Sequence, residues 1–325
     1  MKKALVITTI NPPRKEIKEF SKLKDWQVIC VGDKKTPNNW GLDNVIYLSP
    51  TDQKKLFPVF SSSIPWNIYG RKNLGYIFAI KEGFDLIAET DDDVFPYQTY
   101  PPNLNKKREV KVLSGSKFIN FYKEFNNGNV WPRGLPLDFI RQKKQKTKKK
   151  KISCLVQNSL IDRDSDFDAI YRLTNNSLVK FRKSGEYAIE KNNYAPLNSQ
   201  NTFFHKEAFP LLYMPSFINP HVEDIFRGYI IQRLLWEMNS NLLFSFPTTY
   251  TSDRNEHNYM KDFENELPLF LQARKLIEVI DNLSLSKDLG MSLIKIYRAL
   301  HKVGIMDKGE VNSIVIWTKI IEKYL

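Results

Sequence analysis

The chain has 325 residues, 42% hydrophobic and 26% charged, with a formal net charge of +13. That length can bury a large core, and no run approaches the ~20 apolar residues of a membrane span. Two cysteines, Cys30 and Cys154, exclude a disulfide scaffold and fit a reducing cytosol.

The charge is local. Residues 141–151, RQKKQKTKKKK, supply eight positive charges and no acid, and without them the net charge falls to +5. Such a run reads as a flexible, solvated loop. Peripheral contact with an anionic membrane is the minority alternative. No signature of specific nucleic-acid binding accompanies it.

The N-terminal MKKALVITTINPPRK is too short for a secretion signal and lacks a small-residue cleavage site. Its β-branched residues 4–10 predict a first strand. A polar helix over 15–22 and a second strand over 26–32 follow, closing on Asp33. Strand, helix, strand at this spacing is a βαβ unit, which places both strands in one parallel sheet. Residues 44–48 read as a third strand and 52–60 as a short helix. After Gly70, apolar residues at helical spacing predict a helix that Gly83 ends. The apolar run Leu86, Ile87, Ala88 then reads as a central strand, with Asp91, Asp92 and Asp93 at its carboxyl end, the edge where open α/β sheets bind ligands.

Three adjacent acids repel one another. They become favourable when a divalent cation is shared between them and a phosphate, although a solvated acidic turn is the simpler reading of the triplet alone. Asp91 and Asp93, one residue apart on an extended segment, point the same way and can reach one ion. The cationic start Arg71, Lys72 and Asn73 ahead of them suits a nucleotide diphosphate. Asp33 after the second strand suits a ribose hydroxyl and equally a turn start.

These residues carry a resemblance. GRKNLGYIFAI…LIAETDDDV resembles the nucleotide-sugar core of GT-A glycosyltransferases, whose D-x-D motif ends such a strand. The motifs VGDKKTP, YGRKNLGY, ETDDD, WPRGLPL and DIFRGYIIQRLLW are similar, in similar order, to those of STELLO-type glycosyltransferases, across roughly residues 3–260. The resemblance implies an α/β, GT-A-like (Rossmann-like), mostly parallel sheet flanked by helices. It implies transfer of a hexosyl or pentosyl group from a nucleotide-diphosphate sugar to a glycan, lipid-linked or other hydroxyl acceptor. Thr8, Thr9, Asp33, Arg71, Lys72, Asn73, Asp91 and Asp92 would hold the donor. Asp91 and Asp93 would bind Mn²⁺ or Mg²⁺, completed by His257, with His205 and His221 as competitors.

Further along, 95–108 is proline-rich and irregular. In residues 130–140, Trp131 and Arg133 suit either a sugar pocket or, for Trp131, the core. Residues 152–158 predict a strand. The alternating Asp162, Asp164, Asp166 and Asp168 fail the calcium-loop pattern, because Phe167 and Leu173 occupy the positions of its glycine and glutamate. Residues 194–204 read as an active-site loop returning to a strand. In the helix over 220–236, Glu223 and Asp224 fall in the first turn, where acids gain from the helix dipole whatever else they do. A carboxylate there facing the sheet edge suits a general base, and the resemblance assigns that part to Asp224 ahead of Glu223. Gln232, Arg233 and Trp236 loosely match the Q-x-x-R-W motif of processive synthases, with the arginine displaced.

A last strand over 244–249 and three helices over 267–283, 292–303 and 311–324 complete the chain. The expected organisation is a catalytic domain over 1–260 with a helical appendage over 261–325. The expected enzyme is an inverting, cytoplasmic transferase. A nucleotide-sugar mutase or a non-catalytic binding protein on the same fold are the alternatives.

Overall fold

A computed structural model describes residues 1–142, 145–175, 178–251 and 258–325. The strands are β1 (Lys3–Thr8), β2 (Trp26–Val31), β3 (Val45–Leu48), β4 (Leu86–Thr90), β5 (Val94–Pro96), β6 (Lys107–Ser114), β7 (Lys146–Ser153), β8 (Val156–Asp162), β9 (Glu186–Ile189), β10 (Asn201–His205) and β11 (Leu242–Thr251). The α-helices are α1 (Lys15–Phe20), α2 (Pro50–Leu56), α3 (Pro58–Ser63), α4 (Lys72–Lys81), α5 (Ala169–Thr174), α6 (Glu223–Leu235), α7 (Tyr259–Asp281), α8 (Leu289–Lys302) and α9 (Lys308–Tyr324).

The strands form one sheet in the order β3-β2-β1-β4-β10-β8-β11-β9-β6-β7, with β5 paired to β11. Its first four strands are parallel. Antiparallel β10 then separates β4 from β8, so beyond the N-terminal half the sheet is mixed.

Period-two alternation decides which face each side chain serves. In β1, Ala4 and Val6 join the larger core, while Leu5 and Ile7 join a smaller one that includes Ile17 and Phe20 of α1. The larger core also holds α4, α6 and all three C-terminal helices, through Leu276, Tyr297 and Trp317 among others. The sheet is thus covered on both faces. The C-terminal helices pack on the α/β body and share its core.

Local chemistry explains the elements nearest the acids. Helix α4 ends in a Schellman turn: Gly83 takes φ 71°, its N–H reaches the carbonyl of Ile80, and Phe84 N–H reaches that of Ala79. Gly75 lets α4 lie close on the sheet, since a Cβ there would stand 2.5 Å from Val6 and 2.8 Å from Val31. Ser49 and Asp52 form a capping box at the start of α2, and Pro58 begins a separate helix where one was expected across 52–60.

The basic run corrects the sequence reading. Residues 146–151, expected within a flexible loop, lie in β7, paired along its whole length with β6. Beta structure survives the lysines because their side chains stand out from an edge strand and reach water. The strand expected at 152–158 is interrupted at 154–155, between β7 and β8. Strands β6 and β9 were not anticipated.

Candidate active site at the carboxyl edge of the sheet

The parallel strands β1, β2 and β4 all end at one edge, and a cleft of about 340 Å³ opens there, within the range of small-molecule sites. It is lined by Thr8, Thr9, Asn11 and Arg14 after β1, Gly32 and Asp33 after β2, Asn67, Tyr69 and Arg71 ahead of α4, and Asp92 and Asp93 after β4. Pro220, just before α6, closes the far side. Most of the expected donor residues therefore converge.

Each acid of the triplet faces a different partner. Asp91 Oδ1 lies 3.1 Å from the ammonium of Lys72, which is buried and also donates to the Thr90 carbonyl. Asp92 accepts from Thr9 Oγ1 and, at 2.9 Å, from Asn11 Nδ2, with Arg14 3.7 Å away. Asp93 lines the cleft, half-buried. Turned this way, the three carboxylates relieve their mutual repulsion.

Thr8 Oγ1 is buried and has no hydrogen-bond partner among the described residues, so a polar ligand group in the cleft would satisfy it. Asp33 is held by the N–H groups of Lys34 and Asn67, at 2.6 and 2.7 Å. Arg71 donates to Gln53 and Ser61, and its guanidinium lies 3.6 Å from the ring centroid of Trp66. Burial pushes Arg71 down to about 10 against the pull of Asp33, and it stays cationic at neutral pH. Arg71 lines the cleft while its N–H groups brace α2 and α3.

Three expected donor residues are not among those lining the cleft: Lys72 and Asp91, which pair with each other, and Asn73. Asn73, expected among the donor residues, is fully buried outside the cleft and clamps Met214, accepting from its N–H and donating to its carbonyl at 2.7 Å each. Trp131 is a core residue whose indole N–H donates to Asp168 at 2.7 Å. Gln232 likewise serves the backbone, bonding Ala195 on both sides.

The two carboxylates opening α6 differ sharply. Asp224 receives Arg133 at 2.9 and 3.2 Å, along with the N–H groups of Ile225 and Ser199. Arg133 also holds Asp166 and the His221 carbonyl. Glu223, by contrast, is 2% exposed and in no ion pair among the described residues. Burial first, then the neighbouring Asp224 and Glu310, pushes its carboxyl well above the usual range, with Lys72 and Arg227 opposing. Glu223 therefore senses Lys72, the residue that anchors Asp91. At the cleft mouth the Tyr69 hydroxyl is raised by burial and then by Asp91, Asp93, Asp92 and Glu223, although half of that residue is open to solvent.

Beneath the site, Glu89 of β4 forms a buried ion pair with Arg227 of α6 and accepts from Tyr76 of α4. This triad ties together the three elements that carry the triplet, Lys72 and Glu223. Sequence reasoning missed it, as it missed Asn11, Arg14 and Tyr69. The NPPRK segment at the end of β1 was the available signal for Asn11 and Arg14.

Among the described residues, no three Asp, Glu, His or Cys side chains converge as a ligand set, and His257 lies outside the described residues. Of the competing histidines, His205 is buried and lowered to about 4 by burial and by Lys106. His221 faces Asp262 at 3.9 Å. Asp93 lines the cleft, where one carboxylate beside substrate phosphates and water could serve a magnesium ion, whereas Asp91 is bonded to Lys72 and is not among the lining residues.

A mixed sheet with helices on both faces, a parallel N-terminal half and an acid-lined cleft at its carboxyl edge defines an α/β protein of GT-A-like architecture. No protein-family model matches the chain. It is similar to two curated proteins of Arabidopsis thaliana, "Probable glycosyltransferase STELLO2" and "Probable glycosyltransferase STELLO1", at 28% and 29% identity over 303 residues. The alignments cover 86% of this chain but only 39% and 38% of those proteins. The STELLO-type resemblance read from the motifs is borne out. Among the described residues, no helix is long and apolar enough to cross a membrane.

Proposed function

We propose that the chain transfers a hexosyl or pentosyl group from a nucleotide-diphosphate sugar to an acceptor hydroxyl, with Mn²⁺ or Mg²⁺ as cofactor. The observation that carries this reading is the convergence on one cleft of Thr8, Asp33, Arg71, Asp92 and Asp93 from three successive parallel strands and the turn before α4. The names of the two relatives support it. Asp93 would hold the cation, which when bound neutralises the departing diphosphate. Lys72 fixes Asp91, and Asp92 fixes the segment after β1 that walls the cleft. Arg71 adds positive charge at the donor.

Glu223 is the preferred general base. Asp224 is occupied by Arg133, whereas Glu223 is in no ion pair among the described residues and is the carboxylate of the two that no arginine holds. The acceptor proton would pass to the Glu223 carboxylate as the acceptor oxygen attacks the sugar and the bond to the diphosphate breaks. That is a direct displacement with inversion.

Thermal melting with UDP, GDP, CDP and ADP, each with and without Mn²⁺, tests the donor and the cation together. A metal-dependent rise in Tm with at least one nucleotide is expected, and Asp93→Ala should abolish it while keeping the ligand-free Tm near wild type. No shift with any nucleotide and metal would overturn the reading.

A further inference from the structure

The ribbon of β6 and β7 has a charge arrangement that folding does not require, and this holds independently of the proposed reaction. The register places Lys111 directly opposite Lys149, Glu109 opposite Lys151 and Lys107 opposite Ser153. Directly opposed residues share a face, so Lys107, Lys111, Lys149 and Lys151 project together, all exposed, with Glu109 as the acid among them. Like charges set opposite one another destabilise a strand pair.

The outer edge adds to this. Strand β7 is last in the sheet and pairs with β6 alone among the described strands. Its Lys146 and Lys148 are exposed on the second face, where Lys150 is bonded to Glu190. A few edge lysines suffice to discourage strand pairing. A paired face of four that also sets two lysines opposite one another exceeds that need.

We infer that this ribbon docks the protein on an anionic phospholipid surface. A partner must be negative and extended, because the lysines stand on a regular strand pair and not on a loop that could wrap a compact ligand. Neither β6 nor β7 carries an aromatic residue, which disfavours single-stranded nucleic acid held by base stacking. Lysine-rich edges also resist addition of a strand from another protein. A lipid surface asks only for clustered positive charge.

Sedimentation with vesicles tests this on the full chain. Binding to vesicles containing phosphatidylglycerol is expected at low salt, with none to phosphatidylcholine alone. It should fall as ionic strength rises from ~0.1 to ~1 M, where the screening length drops from about 10 to about 3 Å. The triple variant Lys111→Gln, Lys149→Gln, Lys151→Gln should bind about a hundredfold more weakly, at about fivefold per lysine. Its unchanged melting curve would show that it folds. The control triple Lys302→Gln, Lys319→Gln, Lys323→Gln, on exposed positions of α8 and α9, should bind like wild type. Failure to sediment with anionic vesicles would overturn the inference, as would equal losses in both triples, which would mark net charge alone. Preferential, ribbon-dependent binding of single-stranded RNA over the vesicles would move the site to nucleic acid and overturn it too.

Discussion

Glu223 and Asp224 are consecutive in the first turn of α6, yet a helix turns them to different surroundings. The sequence preferred Asp224. The structure gives Asp224 a bidentate arginine and leaves Glu223 buried near Lys72, so kinetics should separate them. Glu223→Gln is expected to lower kcat by about 10²–10⁴-fold, the usual worth of a general base, with KM for the donor little changed. Asp224→Asn should instead lower stability, because it loosens Arg133 from a buried pair. The reverse outcome would return the base to Asp224. Asn73 gives a second test at this scale. Replacing it by alanine leaves the N–H of Met214 unsatisfied, at about 1–3 kcal/mol, while its carbonyl keeps the Ser216 hydroxyl at 3.1 Å. Chemical denaturation of Asn73→Ala should therefore show about 1–3 kcal/mol of destabilisation. Nucleotide affinity of the folded fraction should stay within a few-fold of wild type, whereas a donor ligand would lose affinity first.

At the scale of elements, α9 reaches the site region through one carboxylate. Glu310 is buried and accepts from Tyr213 at 2.6 Å, Ser216 N–H at 2.5 Å and Phe217 N–H. The same segment carries Met214, clamped by Asn73, and Ser216, whose side chain fills the space beside Gly70. Helix α9 thus braces the turn on which α4 begins. Burial raises Glu310 to about 7. A carboxyl raised on folding binds more protons in the native state than in the unfolded chain. Its stabilisation is therefore complete below its unfolded value near 4.5 and is lost as pH rises through 7. Glu310→Gln removes that titration, while Glu266 and Asp168, likewise raised by burial to about 7 and about 6, remain in both proteins. The stability of the Gln variant relative to wild type should rise by about 2–3 kcal/mol between pH 4.5 and 7.5, read by denaturant unfolding at each pH. A pH-independent difference would mean that Glu310 does not titrate in that range. The strand elements carry a separate lesson. The run 146–151 lacked the apolar alternation that marks a half-buried strand, and only its partner β6 makes it one.

For the whole molecule, one core spans the α/β body and the C-terminal helices, and Trp317 is buried against Phe60 and Tyr213. Truncation after residue 288 would expose the surface that α8 and α9 cover, including the partners of Glu310. The truncated chain is expected to be aggregated or molten, judged by near-ultraviolet circular dichroism and size-exclusion chromatography. A folded, nucleotide-binding fragment would instead make the helices a separable domain. Much of the site's location was legible beforehand. Local order alone fixed the end of α4 at Gly83, the burial of Leu86, Ile87 and Ala88, and the placing of three aspartates at a strand's end, because caps, apolar periodicity and strand polarity act over a few residues. Which aspartate faces the cleft, which carboxylate of α6 is engaged by Arg133, and that Asn73 serves Met214, 141 positions away, were decided only by the tertiary structure. Those outcomes depend on partners brought together across the sheet, and no pattern within a short stretch of sequence encodes a neighbour that folding alone supplies.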